Sequence, residues 1–168
     1  MDEIKLNLEN LTTEEREQLM KLVEKGNIKP VDKQKVWKPE LGDVYYFTWS
    51  NGEIDNSEWD NDDADNFKWM VGNVYRTEEE CQFVIEKQKV EFELKRFAKE
   101  HNEDVFNVFD LDTEKWYLNY NIDEDLVEIL SMYGYISSMT IFSSETIAKQ
   151  AIETVGSDRI KKYIFGVK

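Results

Sequence analysis

The chain has 168 residues, a net charge of −15, 40% hydrophobic residues, and a single cysteine and a single histidine. Those totals fit one core-forming domain with a small N-terminal appendage; they exclude an intramolecular disulfide and leave zinc, Ser-His and Cys-His chemistry short of ligands and bases. The acidity argues against nucleic acid as a direct partner, because phosphate binding runs on Lys and Arg, and no apolar run spans a bilayer, so a cytoplasmic protein with no membrane partner is expected.

The charge is uneven. Residues Met1 to Val36 hold 8 acids and 7 bases, whereas Trp37 to Lys168 hold 28 acids and 14 bases. Near the N-terminus Ile4, Leu6 and Leu8 alternate as in a strand or extended arm. Thr12-Thr13-Glu14-Glu15 is a capping box, opening a helix with a narrow apolar stripe of Leu19, Leu22 and Val23 and a natural stop at Gly26. Residues 27–36, with Pro30, read as a linker. The division expected is therefore a strand/helix arm with linker over 1–36 and an acidic α+β domain over 37–168.

Trp37-Lys38-Pro39-Glu40-Leu41-Gly42 turns the chain into a first strand, Val44 to Ser50. Asn51-Gly52 predicts a two-residue type I′ hairpin turn, which sets Trp49 beside Ile54. Alternation puts Tyr45, Phe47 and Trp49 on one face and Tyr46 with Val44 on the other. Aromatics on both faces predict a covered sheet or an exposed patch for a protein partner. After Ile54 come seven carboxylates with Glu53 counted, namely Glu53, Asp55, Glu58, Asp60, Asp62, Asp63 and Asp65, and no base. Such a run predicts a self-repelling, solvated loop. Phe67 to Met70 and Gly72 to Arg76 return to strand character. Thr77-Glu78-Glu79-Glu80 is a second capping box, for a helix reaching about His101. Its apolar face of Cys81, Val84, Ile85, Val90, Leu94, Phe97 and Ala98 exceeds what one sheet face requires, so the helix is expected between the sheet and something else.

The second half reads as a worn copy of the first. Lys115 to Tyr120 matches the first strand, and Met139 to Glu145 again runs from strand into helix cap. Ile147, Ala148, Ala151, Ile152 and Val155 form a helical stripe ending at Gly156, and Ser157-Asp158 offers a cap for a last short helix. We read an internal ββα repeat, 37–102 and 115–168, spaced by about 67 residues, with an ordinary unrepeated domain as the alternative. The fold class expected is α+β: antiparallel hairpins or a meander covered by two main helices, plus the N-terminal helical arm.

No residue set points to catalysis, a cofactor or a metal. An EF-hand begun at Asp60 requires an oxygen ligand, Gly and Glu where the chain has Ala64, Asp65 and Val71. Glu91, Glu93 and Lys95 imitate a nuclease Glu-x-Lys motif but fall mid-helix, where i and i+2 point apart. His101 suits a helix C-terminus, and Cys81 suits a core thiol. Aromatic stacking platforms for bases come with positive grooves, and this one is negative. What remains is the acidic array itself, which can imitate nucleic-acid phosphates toward a basic protein.

Trp37-Lys38-Pro39, Val44-Tyr45-Tyr46, the step from Gly72 to Glu79, Glu93-Leu94-Lys95-Arg96-Phe97-Ala98, the closing stretch from Asp158 to Val167 and the opening Leu11-Thr12-Thr13-Glu14-Glu15 together resemble a broad group of small proteins from phages and prophages of Gram-positive bacteria. The resemblance implies a mobile-element context inside a bacterial host cell. By analogy with acidic phage proteins of this size, it implies an inhibitor of host defence, of anti-CRISPR or anti-restriction type. The expectation is a non-enzymatic inhibitor, without cofactor, that binds a basic host nuclease through Glu53, Asp55, Glu58, Trp59, Asp60, Asp62, Asp63, Asp65 and Trp69. One alternative is a phage structural or assembly protein, self-associating as a homodimer through the arm or the long helix. A carboxylate-based metal enzyme is the third reading.

Overall fold

The computed structural model describes residues 11–25, 36–104, 106–134 and 138–167. The fold is α+β, and the described residues form five helices and two antiparallel two-stranded sheets. The chain divides into two units, Met1–Trp37 and Lys38–Lys168. The first contains helix α1 (Thr13–Lys25), opened by the expected capping box. Glu15 Oε2 accepts from the Thr12 N–H at 2.8 Å, and Thr12 Oγ1 accepts from the Glu15 N–H at 3.4 Å. The expected strand at Ile4–Leu8, the stop at Gly26 and linker residues 27–35 lie outside the described residues.

The second unit opens with hairpin β1 (Val44–Thr48) and β2 (Ile54–Glu58). Its register differs from the expected one. Thr48, not Trp49, stands opposite Ile54. The loop has three residues: Gly52 N–H donates to Trp49 O, Trp49 N–H donates to Glu53 O, and only Gly52 takes positive φ, at 85°. This is a turn closed by a glycine bulge, the next commonest solution after the two-residue turn. Tyr45 and Phe47 are buried on the face that Trp49 extends, as alternation requires.

Two further expectations are corrected here. The acidic run is not a loop: it forms β2 and then the start of helix α2 (Asp63–Met70), which also takes in Phe67 to Met70, expected as strand. Gly72 to Arg76 contributes one bridge, Tyr46 to Tyr75, rather than a strand. Helix α3 (Glu78–His101) follows, capped by Thr77 Oγ1, which accepts from the Glu80 N–H at 3.2 Å.

The second half follows the same order of hairpin, bridge and capped helix, without a counterpart of α2 among the described residues. Hairpin β3 (Lys115–Asn121) and β4 (Leu126–Met132) is followed by a single bridge, Trp116 to Phe142, where a strand over Met139 to Phe142 was expected. Ser144 then caps α4 (Glu145–Val155), two residues beyond the bridge, as Thr77 lies two beyond Tyr75. Helix α5 (Ser157–Tyr163) begins directly after Gly156, whose φ of 95° turns the chain. Ser157 is its first residue and not its cap; no side chain caps this helix.

Helix α3 packs on β1 and β2 and on α4 and α5, so it lies between the first hairpin and the C-terminal helices, as its wide apolar face requires. Val90, Leu94 and Ala98 join Phe142, Ala148, Ala151, Val155 and Ile160 in one core, and Cys81 and Ile85 are buried nearer the helix start. A bidentate pair fixes α3 to α5: Arg159 donates from Nη1 and Nη2 to the Glu93 carboxylate at 2.7 and 3.0 Å. Two asparagine side chains clamp backbone as a strand neighbour would. Asn73 accepts from Thr48 N–H and donates to Thr48 O, both at 2.9 Å, while Asn102 accepts from Ser143 N–H at 2.9 Å and donates to Ile141 O at 3.0 Å.

Candidate protein-binding face

The acidic stretch is positioned by three local devices. Strand β2 leaves both Asp55 and Glu58 exposed, on opposite faces of the hairpin, with Asp55 on the Trp49 side. Asn61 then takes a left-handed turn at φ 57°, a conformation asparagine tolerates better than most residues. The turn is braced by Asn66, which donates to Asn61 O at 3.0 Å and Asp62 O at 2.8 Å. Finally Asp62 caps α2 through the Asp65 N–H at 2.8 Å, and Asp63 sits in the first turn, where the helix dipole favours an anion. Capping and dipole offset the mutual repulsion on which the loop expectation rested.

Of the nine residues expected as contacts, six are exposed: Glu53, Asp55, Glu58, Asp60, Asp62 and Asp63. Asp55 accepts from Asn56 N–H at 2.8 Å and Trp49 Nε1 at 3.2 Å, bonds that hold its pKa below the usual carboxylate range. Trp69 is half-buried. The remaining two are corrections. Trp59 is 2% exposed and Asp65 is 4% exposed, so both lie in the interior and not on the surface where a contact was expected. Trp59 lies edge-on to Tyr45, with ring centres 5.7 Å apart, and the Lys38 ammonium stands 5.3 Å from its centroid and 5.9 Å from that of Trp69.

Asp65 belongs to a closed polar network. Its Oδ1 accepts from the Tyr45 hydroxyl at 2.6 Å, and its Oδ2 accepts from the Asp60 N–H at 2.8 Å. Lys68 donates to the same Tyr45 oxygen at 2.8 Å, with its ammonium 4.4 Å from the Phe47 ring centre. Burial raises the Asp65 pKa, but the Tyr45 and Asp60 hydrogen bonds and the Lys68 charge outweigh it, and the carboxyl is held below its ordinary value. Burial and the hydrogen bond to Asp65 push the Tyr45 hydroxyl up. The network fastens α2 to β1 and fixes which face of α2 looks inward.

That inward face carries a carboxylate and an ammonium. Asp65 and Lys68 point into the protein with Trp69, while Asp63, Ala64, Phe67, Met70 and Val71 point out. Phe67 is 59% exposed, Met70 74% and Val71 56%. Trp69 and Asp63 apart, the usual amphipathic order, apolar inside and polar outside, is reversed in this helix.

Other concavities carry different residues. A depression of about 430 Å³ is lined by Glu93, Arg96, Phe97, Glu100, His101 and Thr154. There His101 stacks on Phe97 at 3.9 Å and its Nδ1 lies 2.9 Å from Phe97 O, while the Glu93 carboxylate is already bound by Arg159. The expected roles of His101 at a helix end and of Cys81 as a buried thiol match where these residues lie. Among the described residues no three His, Cys, Asp or Glu side chains gather as a metal site, and no helix is long and apolar enough to cross a membrane. Comparison with known proteins gives no matching family model, curated protein or solved structure.

Sequence reasoning missed α2, Tyr45 and Lys68. The signal for the helix was present: Asp62 with Asp65 three residues on is a capping pattern, hidden by the weight given to charge. The Tyr45–Lys68 contact spans 23 residues and carries no local signal.

Proposed function

We propose that this chain is a non-enzymatic inhibitor that binds a basic, nucleic-acid-binding protein through the β2–α2 edge, in the manner of a nucleic-acid mimic. One observation carries the reading: from Glu53 to Asp63 six carboxylates are exposed with no base among them, across the hairpin turn, strand β2, the connection and the start of helix α2, beside a buried network that fastens α2. Fixed like charges of this kind give fast, salt-sensitive association with a positive surface. They oppose direct binding to nucleic acid, whose phosphates bear the same sign. The resemblance to phage proteins narrows the partner to a host defence nuclease, of RNA-guided or restriction type.

The test pairs the wild-type chain with Asp60→Asn/Asp62→Asn/Asp63→Asn, in which asparagine retains the helix cap. Both are used as bait in a Gram-positive lysate at low and high salt, and any nuclease recovered is purified and assayed for DNA cleavage. The expected result is a basic nuclease held by wild type at low salt, released by salt, weakly held by the variant and inhibited in the assay. Identical recoveries by the two baits would remove the acidic edge from the function.

Self-association through the arm has its own supporting observation. Helix α1 has 13 residues with Met20 and Leu22 exposed, and a helix of that length is marginal alone in water. Light scattering of Leu19→Asp/Leu22→Asp in the full chain decides it. A fall from oligomer to monomer supports the arm as an interface, and an unchanged mass removes it.

A further inference from the structure

The acidic edge explains attraction at a distance, but it leaves the inverted pattern of α2 unexplained. Phe67, Met70 and Val71, with Ala64, lie at i, i+3, i+6 and i+7 and form one outward stripe over about two turns, or ~12 Å of helix. The same helix turns Asp65 and Lys68 inward, where both need partners and find them. Exposing three large apolar groups and burying a carboxylate is the costlier arrangement for a protein that meets only water.

Resting on the acidic-edge reading, we infer that this stripe is the anchor of the interface and that its occupant is a basic amphipathic helix of the partner. A helix-on-helix contact matches the i, i+3, i+7 spacing. Charge chooses the partner. Asp60, Asp62 and Asp63 flank the N-terminal end of the stripe, and no Lys or Arg lies on the outward face of α2. A helix with an apolar stripe edged by Lys and Arg satisfies both features. A second copy of this chain has the same net charge of −15 and no Lys or Arg on the matching face of α2, so it offers the carboxylates no counter-charge. An anionic lipid surface is repelled for the same reason.

The probes are two synthetic peptides of equal positive charge, one with leucines at helical spacing among lysines and one with serine in place of each leucine. Their binding to the full chain is measured by calorimetry at low salt. The Leu/Lys peptide is expected to bind and the Ser/Lys peptide to bind weakly. Phe67→Ser/Met70→Ser is expected to weaken the Leu/Lys peptide roughly tenfold or more, since each lost anchor removes buried apolar area. The thermal midpoint of this variant is expected to stay unchanged, because both side chains are exposed. Equal binding of both peptides, insensitive to the serine variant but lost in Asp60→Asn/Asp62→Asn/Asp63→Asn, would overturn the stripe while leaving the acidic edge standing. Leu/Lys binding that survives the serine variant places the anchor elsewhere and overturns the inference. Binding of neither peptide overturns the helical occupant, and the acidic edge then stands or falls on the nuclease experiment alone.

Discussion

Asp65→Asn is the sharpest probe of how the edge is built. In the wild-type protein both carboxylate oxygens accept, one from the Tyr45 hydroxyl at 2.6 Å and one from the Asp60 N–H at 2.8 Å. Asparagine offers one acceptor oxygen and one amide donor. Whichever way the amide is turned, its NH2 faces a donor, so Tyr45 or Asp60 loses its acceptor. The side chain is 4% exposed, so bulk water does not make good the loss. An unsatisfied buried donor costs about 1–3 kcal/mol. A value of about 2 kcal/mol lowers the melting midpoint of a unit of this size by about 6 °C.

The pH dependence supplies a second readout. Burial raises the Asp65 pKa, yet its hydrogen bonds and Lys68 bring the net value below the ordinary one. A group depressed in the folded state contributes stability that is full above its unfolded pKa, about 4, and is lost as pH falls through the folded value. Asparagine does not titrate. The gap between wild type and variant, measured by urea denaturation, is therefore full near neutrality and narrows below about pH 4. A gap under about 0.5 kcal/mol at neutral pH, the scatter of ordinary surface changes, would refute the network as the fastening of α2. So would a gap that keeps its size into strong acid.

Asn73→Ala and Asn102→Ala each remove a side chain that both donates to and accepts from a backbone segment; each costs about 2 kcal/mol, and hydrogen exchange quickens at the Thr48 and Ser143 amides. Arg159→Ala opens the bidentate pair with Glu93, a partly exposed contact worth about 1 kcal/mol at low salt and less at high salt. The hydrogen bond from Arg159 lowers the Glu93 pKa, so this increment is full above about pH 4.3 and fades as pH falls through the folded value. Burial, and then the charge of Glu78, push the Cys81 thiol up. A chromogenic disulfide reagent therefore reacts with it slowly in the native protein and quickly in denaturant, and fast native labelling would contradict its burial.

Local chemistry made the helices legible where a hydroxyl cap preceded an apolar face. Thr12, Thr77 and the stripe from Ile147 to Val155 each announced a helix that the structure contains. The register of the first hairpin was less legible because Asn51-Gly52 serves two loops: one needs positive φ at both residues, the other at Gly52 alone, and the second is the one formed. Strand β4 has apolar character from Leu126, Val127, Ile129 and Leu130, but no alternation or turn pair of the kind that marks the first hairpin. Lys115 is fully buried, its ammonium held by the carbonyls of Asp110 and Thr113, a solution only the folded loop reveals. In the acidic run, counting charges obscured the geometry. Asp62, Asp63 and Asp65 carry like charge, yet one caps a helix, one faces water and one is buried against a tyrosine.

The comparison of the two halves bears on where function resides. Both contain a hairpin, a single bridge to its first strand and a capped helix two residues later. They differ between the hairpin and the bridge. The first half inserts α2 there, whereas the described residues between β4 and Phe142 contain no helix. A second half that reaches the same order without such a helix indicates that α2 is not needed to complete the scaffold. Yet α2 is held in place by Asp65, Tyr45, Lys68 and the Asn61 turn. Support spent on an element the architecture can omit, with its apolar side turned outward, is what a presented binding element requires. Removing that presentation without unfolding the rest separates the two roles. Phe67→Ser/Met70→Ser is expected to weaken partner binding at unchanged stability, whereas Asp65→Asn lowers stability first and binding with it.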